Sequence, residues 1–256
     1  MLNIGLKIWS TNLYYIPIVK DLYARKIFEY IELFIVPGSS SHLGYWSSLG
    51  IPYILHAPHS YAGLNMADKA RREENHQLVS QVNIYFKDLN PQWVIFHPGI
   101  LFDINEAISQ INSFKKDFPR LMAKSVIENK PAIGLNGENC VGSSAIEIKK
   151  VIASTGLGFC FDIGHAICAA ASEKRPWKEV LEEFFLLDPD MYHLSDSHYG
   201  EKDMHLHLGA GQFDLDYIIK RLPANATISL ETPKDSKENL DDFKKDTEFL
   251  KEYATK

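Results

Sequence analysis

Residues 158–165 read Gly-Phe-Cys-Phe-Asp-Ile-Gly-His. A short apolar run ends on a carboxylate at Asp162, and an imidazole follows at His165. An apolar run this short, opened by Gly, suits a strand buried on both faces. The same pattern recurs on either side of it. Strands are expected at Asn3–Trp9, Tyr30–Val36, Tyr53–His56, Trp93–His97, Ala132–Glu138, Gly158–Asp162, Met191–Leu194 and Thr227–Glu231. Longer amphipathic stretches lie between them, among them Ile16–Phe28, Asp68–Leu89, Ser144–Ser154, Trp177–Leu187, Leu215–Leu222 and Leu240–Tyr253. Either Asp214 or Asp216 can cap the start of the fifth of these. Short buried strands alternating with helices indicate a parallel sheet. Eight such units closed into a ring give a single (β/α)₈ TIM barrel spanning residues 1–256. The weakest element is Gly38–Gly50, short for a helix and rich in Ser and Gly.

Length and composition agree with this reading. A chain of 256 residues is the usual size of one such barrel. It is 45% hydrophobic and 23% charged, enough to bury a core without staples. No run of 18 apolar residues suggests a membrane span, and the start, MLNIGLKIWS, reads as a strand rather than a signal peptide. Three cysteines, Cys140, Cys160 and Cys168, lie in or beside apolar runs. Free buried thiols in a cytoplasmic setting are the simplest expectation. The net charge of −6 argues against a broadly basic nucleic-acid surface, although a bound metal cluster can itself attract phosphate.

Six consecutive strands end on, or beside, a side chain that can bind a metal. These are His56 in LHAPH, His97 in FHPG, Glu138 in GENC, Asp162 with His165 in DIGH, His193 followed by Asp203 and His205 in DMH, and Glu231 in LET. The C-terminal strand ends of a (β/α)₈ barrel converge on one mouth, where active sites are built. A lone His at a strand end is more often a hydrogen-bonded structural residue than a ligand. Nine His, Asp and Glu side chains at one mouth are different, because they cannot stay buried without strong pairing. Divalent metal ions supply that pairing. Imidazole and carboxylate donors suit zinc, with manganese the alternative. The Gly209 and Gly211 pair reads as loop geometry rather than a phosphate loop. The mixed-charge run 69–74 reads as a solvated helix face, and His76, His198 and His207 as surface or supporting residues.

The ordered motifs HAPHS, FHPG, GEN, DIGH, HLSDS, DMHLHLGAG and LET, spanning Leu55 to Thr232, resemble those of the endonuclease IV and xylose-isomerase-like barrel superfamily. The resemblance implies up to three zinc ions. His56, His97 and Glu138 would hold one, and Glu138 would bridge to a second held by Asp162, His193 and Glu231. His165, Asp203 and His205 would hold the third. It also implies metal-assisted phosphoester hydrolysis, which needs all nine ligands. The alternative is sugar or sugar-phosphate isomerisation or epimerisation at one ion, with Glu138 and Glu231 as the catalytic pair that shuttles the proton. A non-catalytic metal-binding barrel is a third, weaker reading. Endonuclease IV carries an Arg-bearing segment after its second strand that probes the DNA minor groove. Here that region reads Val36-Pro37-Gly38-Ser39-Ser40-Ser41-His42, and His59 stands where a DNA-contacting Tyr is expected, with Tyr61 nearby. The expected substrates are therefore a small phosphorylated or sugar-like molecule, or abasic DNA cleaved weakly.

Overall fold

In a computed structural model that describes residues 2–254, eight parallel strands close into a ring. They are β1 (Asn3–Trp9), β2 (Tyr30–Phe34), β3 (Tyr53–His56), β4 (Val94–Phe96), β5 (Ser125–Glu128), β6 (Gly158–Asp162), β7 (Met191–Leu194) and β8 (Thr227–Leu230). Each pairs with its neighbours in sequence, and β1 pairs with β8 through Asn3 and Thr227 to Leu6 and Leu230, closing the barrel. Helices follow the strands and cover the outside, among them Ile16–Ala24, Arg72–Leu89, Ile104–Asp117, Ala145–Thr155, Ile163–Ser172, Trp177–Phe185, Leu215–Arg221 and Asp241–Tyr253. The chain is thus a (β/α)₈ barrel, as the alternation of runs required. The weak Gly38–Gly50 region forms only a 3₁₀ turn at Ser40–His42 and one short helix, Leu43–Ser47. No described helix is long and apolar enough to cross a membrane.

Strand five corrects the sequence reading. It runs over Ser125–Glu128, not Ala132–Glu138. The Ala132–Glu138 segment is a turn-rich loop above the barrel, closed by Gly134 N–H to the Glu138 carbonyl and Gly137 N–H to the Gly134 carbonyl. Two short strands beside it, Gly99–Ile100 and Cys140–Val141, pair antiparallel and clasp the loops after β4 and β5 together.

Two apolar regions hold the fold. The larger lies between the ring and its helices. It is filled by the outward residues of the strands, such as Leu6, Leu33, Leu55, Phe96, Ile127, Phe161 and Leu230. The smaller sits inside the ring and consists of Tyr30, Ile54, Ile95, Val126, Cys160 and Met191. Gly5 belongs to the same level, since a Cβ there would lie 2.2 Å from the Tyr30 ring. So does Ser229, whose hydroxyl meets Tyr30 Oη at 3.0 Å. Side chains alternate sides along a strand, so the next inward residue is two positions on. That step gives Lys7, Glu32, His56, His97, Glu128, Asp162, His193 and Glu231. A charged layer therefore rests directly on an apolar one.

Candidate metal centre

The charged layer is deeply buried. His56, His97, Glu128, Asp162 and His193 are all buried, and Glu32 is 0% exposed. Glu128 is its hub. Its Oε2 lies 3.2 Å from His56 Nε2, 2.8 Å from His97 Nε2 and 3.4 Å from His193 Nδ1, while Oε1 lies 3.3 Å from His165 Nδ1. Burial alone would raise the Glu128 pKa, but His97 and His193 outweigh it and hold this carboxyl well below the usual range. Asp162 shows the reverse. Burial, with Glu231, Glu128 and Asp203 nearby, pushes it up to about 6 despite His165.

Three further ligand candidates, His165, Asp203 and His205, sit on the rim. Asp162 caps the helix Ile163–Ser172, accepting from His165 N–H at 2.7 Å, and this brings the His165 side chain over the mouth. His165 Nε2 lies 3.2 Å from Asp203 Oδ2, and His205 Nε2 lies 2.5 Å from the same oxygen. His205 has φ 47, a left-handed backbone that costs roughly 1–2 kcal/mol for a residue with a Cβ. The loop beyond it is pinned by Asp196, whose carboxylate accepts N–H groups from Gly209, Gly211 and Phe213. Gly209 supplies φ 83, and a Cβ on Gly211 would lie 2.3 Å from Asp196, so both glycines are loop geometry as expected. Burial opposes charge on His205, yet Asp203 holds its pKa up to about 9.

Of the nine residues picked from the sequence, the structure brings eight together and leaves out Glu138. Its carboxylate takes a hydrogen bond from the Tyr61 hydroxyl and one from Asn136 N–H at 3.1 Å, so it braces a loop instead. The place expected for it is filled by Glu128, the last residue of the true β5. Several overlapping donor groups fall out of the geometry, among them His56, His97 and Glu128; Glu128, Asp162, His193 and Glu231; His165, Asp203 and His205; and Glu32, His56 and Glu231. Lys7 and Glu32 were also missed. Lys7 Nζ bonds Glu231 and lies 3.2 Å from Glu32 Oε1, while Glu32 Oε2 lies 2.8 Å from His193 Nε2. The signal that could have found all three was the two-residue step from the inward apolar positions Gly5, Tyr30 and Val126.

The donor set fits metal ions. His56 Nδ1 faces the Ala57 carbonyl at 3.0 Å, His165 Nδ1 the Asn129 carbonyl at 2.8 Å, and His205 Nδ1 the Glu231 carbonyl at 3.1 Å. A carbonyl only accepts, so each of these nitrogens carries the hydrogen and Nε2 faces the cluster. His193 is held by Glu32 the other way round, with Nδ1 inward. That Nδ1 lies 2.7 Å from Glu231 Oε1 yet makes no hydrogen bond, and Asp203 Oδ1 is likewise buried without a partner. Buried donor atoms gathered this closely, two of them left without a hydrogen bond, suit cation ligands.

The cluster floors a cavity of about 750 Å³, rimmed by Trp9, Tyr14, His59, Tyr61, Lys130 and Lys234 among others. Burial pushes His59 down to about 4 and Lys234 down to about 8. Cys160 and Cys168 are buried and Cys140 is half-buried, all three free. Burial raises all three thiols, so none is an activated nucleophile.

Comparison with known proteins agrees with this architecture. A probable endonuclease 4 from Mycobacterium ulcerans (strain Agy99) is 26% identical over 209 residues, covering 79% of each chain. Among solved structures, a D-tagatose 3-epimerase-like protein superposes with a TM-score of 0.77 at 20% identity, covering 99% of this chain and 97% of its own. Endonuclease IV from Thermus thermophilus superposes with a TM-score of 0.71 at 17% identity, covering 99% of both. At such identities these structures share the fold, and their names divide between endonuclease and epimerase. Residues 44–253 match the family described as xylose isomerase-like TIM barrel, and the chain belongs to that family.

Proposed function

We propose that this chain is a divalent-metal-dependent phosphoester hydrolase whose centre takes up to three ions, zinc best matching its donors and manganese second. The observation that carries this reading is that donor groups extend on both sides of the central four, with His56, His97 and Glu128 on one side and His165, Asp203 and His205 on the other. A single-ion epimerase needs only the group of four. It gives no metal to His56, His97, His165, Asp203 and His205, which then serve only to pair with Glu128 and with one another.

Ions held there would acidify a water and neutralise charge on a phosphoryl group. The chain's own residues do the rest. Glu128 joins two groups and fixes their spacing. Glu32 holds His193 with Nδ1 inward, and Asn129 orients His165 through its carbonyl. Lys130, Lys202, Lys234 and Lys237 on the rim of the cavity favour an anion. A cavity of this size suits a small phosphorylated substrate better than duplex DNA, and no Arg stands in the segment 36–42 after β2. Buried free thiols suit a reducing compartment, and we assign the chain to the cytoplasm on that ground.

One feature favours a second reading. Glu128 and Glu231 belong to the same group of four with His193 between them, which is the carboxylate pair that proton shuttling at a sugar carbonyl needs. Metal analysis separates the two. Purified protein reconstituted with zinc should hold three ions per chain and cleave bis(p-nitrophenyl) phosphate or p-nitrophenyl phosphate. One ion per chain, with ketose epimerisation and no phosphoester cleavage, would replace the hydrolase with the epimerase.

A further inference from the structure

Lys7 is the one lysine of the inward charged layer, and the metal ligands do not account for it. It stands on β1, lines the floor of the cavity, and its side chain is 16% exposed. Its ammonium bonds Glu231 Oε1, the oxygen that also lies 2.7 Å from His193 Nδ1. Its other neighbour is Glu32 Oε1 at 3.2 Å, which is buried and makes no hydrogen bond. Lys7 thus occupies an oxygen of the four-residue donor group.

We infer that Lys7 is the anion-binding residue of this cavity: it neutralises Glu231 and turns to a substrate phosphate oxygen when ions engage that carboxylate. The inference rests on the multi-metal reading. An ion that engages Glu231 Oε1 competes with Lys7 for that oxygen and repels the ammonium, because two like charges a few ångströms apart in a partly buried site interact unfavourably. Nζ is then left with Glu32 on its inner side and the cavity on its outer side. Glu32 also grips His193, so it anchors the lysine stem end without following it outward.

Charge counting gives the ligand class. Glu128, Asp162, Asp203 and Glu231 with Glu32 bring five negative charges. Three divalent ions bring six positive charges and Lys7 a seventh. With a water at the ions carried as hydroxide the loaded centre is still positive by one, and it calls for an oxyanion, which a phosphate ester supplies and a neutral sugar does not. A lysine ammonium is a compact point charge with rotatable donors, suited to move between two acceptors.

Zinc-loaded wild type, Lys7→Met and Lys7→Arg should be compared by calorimetric titration with methylphosphonate, a phosphate-monoester mimic that cannot be hydrolysed, with zinc counted by mass spectrometry. Lys7→Met should keep the wild-type zinc content and bind methylphosphonate about ten- to a hundredfold more weakly, the worth of a charged hydrogen bond. Lys7→Arg should bind within about threefold of wild type, since it keeps the charge. Wild-type affinity in Lys7→Met would overturn the inference. So would zinc loss from Lys7→Met with retention by Lys7→Arg, which would make Lys7 a brace for Glu231. Wild type with one ion that still binds methylphosphonate through Lys7 would sink the multi-metal reading alone. Wild type with three ions and no methylphosphonate binding would sink the lysine's role alone.

Discussion

Two layers inside one barrel, set two residues apart along the same strands, have opposite characters. The lower layer, Tyr30, Ile54, Ile95, Val126, Cys160 and Met191, is apolar. The upper one carries Lys7, Glu32, Glu128, Asp162, Glu231 and three imidazoles. Both are buried by the same geometry, so burial does not separate them. The lower layer gains stability by leaving water. The upper layer loses solvation and recovers it only through mutual pairing. The difference teaches where the protein trades stability for chemistry, and each layer can be broken without the other.

The largest effect should come from Glu128, which sits in more than one donor group. Glu128→Ala should lose at least one ion and drop phosphoester cleavage by at least about a thousandfold, as expected when two metals share a ligand. Metal counting with a kcat measurement checks it, and an unchanged zinc count would break the upper layer's claim to be a metal centre. In the lower layer, Ile95→Ala should cost about 2–5 kcal/mol of stability while leaving the zinc count of the folded protein intact. Denaturant melts of the two variants, run with metal present and absent, read this contrast directly. His97→Ala should lose one ion and about a hundredfold in kcat, with substrate affinity less affected.

A pH series sharpens the comparison further. His205 is held up to about 9 and Asp162 up to about 6, so both must give up protons before they can ligate. Zinc affinity should therefore weaken as pH falls from about 8 to about 5.5, roughly tenfold per unit for each proton displaced. Competition with a chromogenic chelator measures it, and a flat profile would mean that these groups do not ligate. The smallest effect belongs to Glu138. Glu138→Ala should keep full zinc content and change activity by less than about threefold, because its carboxylate braces an exposed loop.

Most of the ring was legible because buried parallel strands are short apolar runs with abrupt ends. Asn3–Trp9, Tyr53–His56, Gly158–Asp162 and Met191–Leu194 match residue for residue. Strand β5 was not legible that way. Ser-Val-Ile-Glu is four residues long and follows closely on the short helix Pro119–Met122, so no turn residues announce it. The loop that follows offers Ala-Ile-Gly-Leu, a false apolar run, and forms an isolated bridge between Ile133 and Asn139 that mimics a strand locally. The helix Ile163–Ser172 was hidden for another reason. It is buried all round over Ile163–Ala170 and shows no polar stripe. Lys7 and Glu32 escaped because a charge in mid-strand reads as a solvent-facing residue. Only the ring's closure reveals that position to be inward.

The pairing of Gly99–Ile100 with Cys140–Val141, together with the Tyr61 and Glu138 hydrogen bond, ties the loops after β3, β4 and β5 into one wall. An insertion in one of these loops would strain its ties to the neighbouring two. The loops after β1, β7 and β8 carry no such tie to that wall among the described bonds. One half of the mouth is thus braced as a frame, and the other half can change shape without pulling on it.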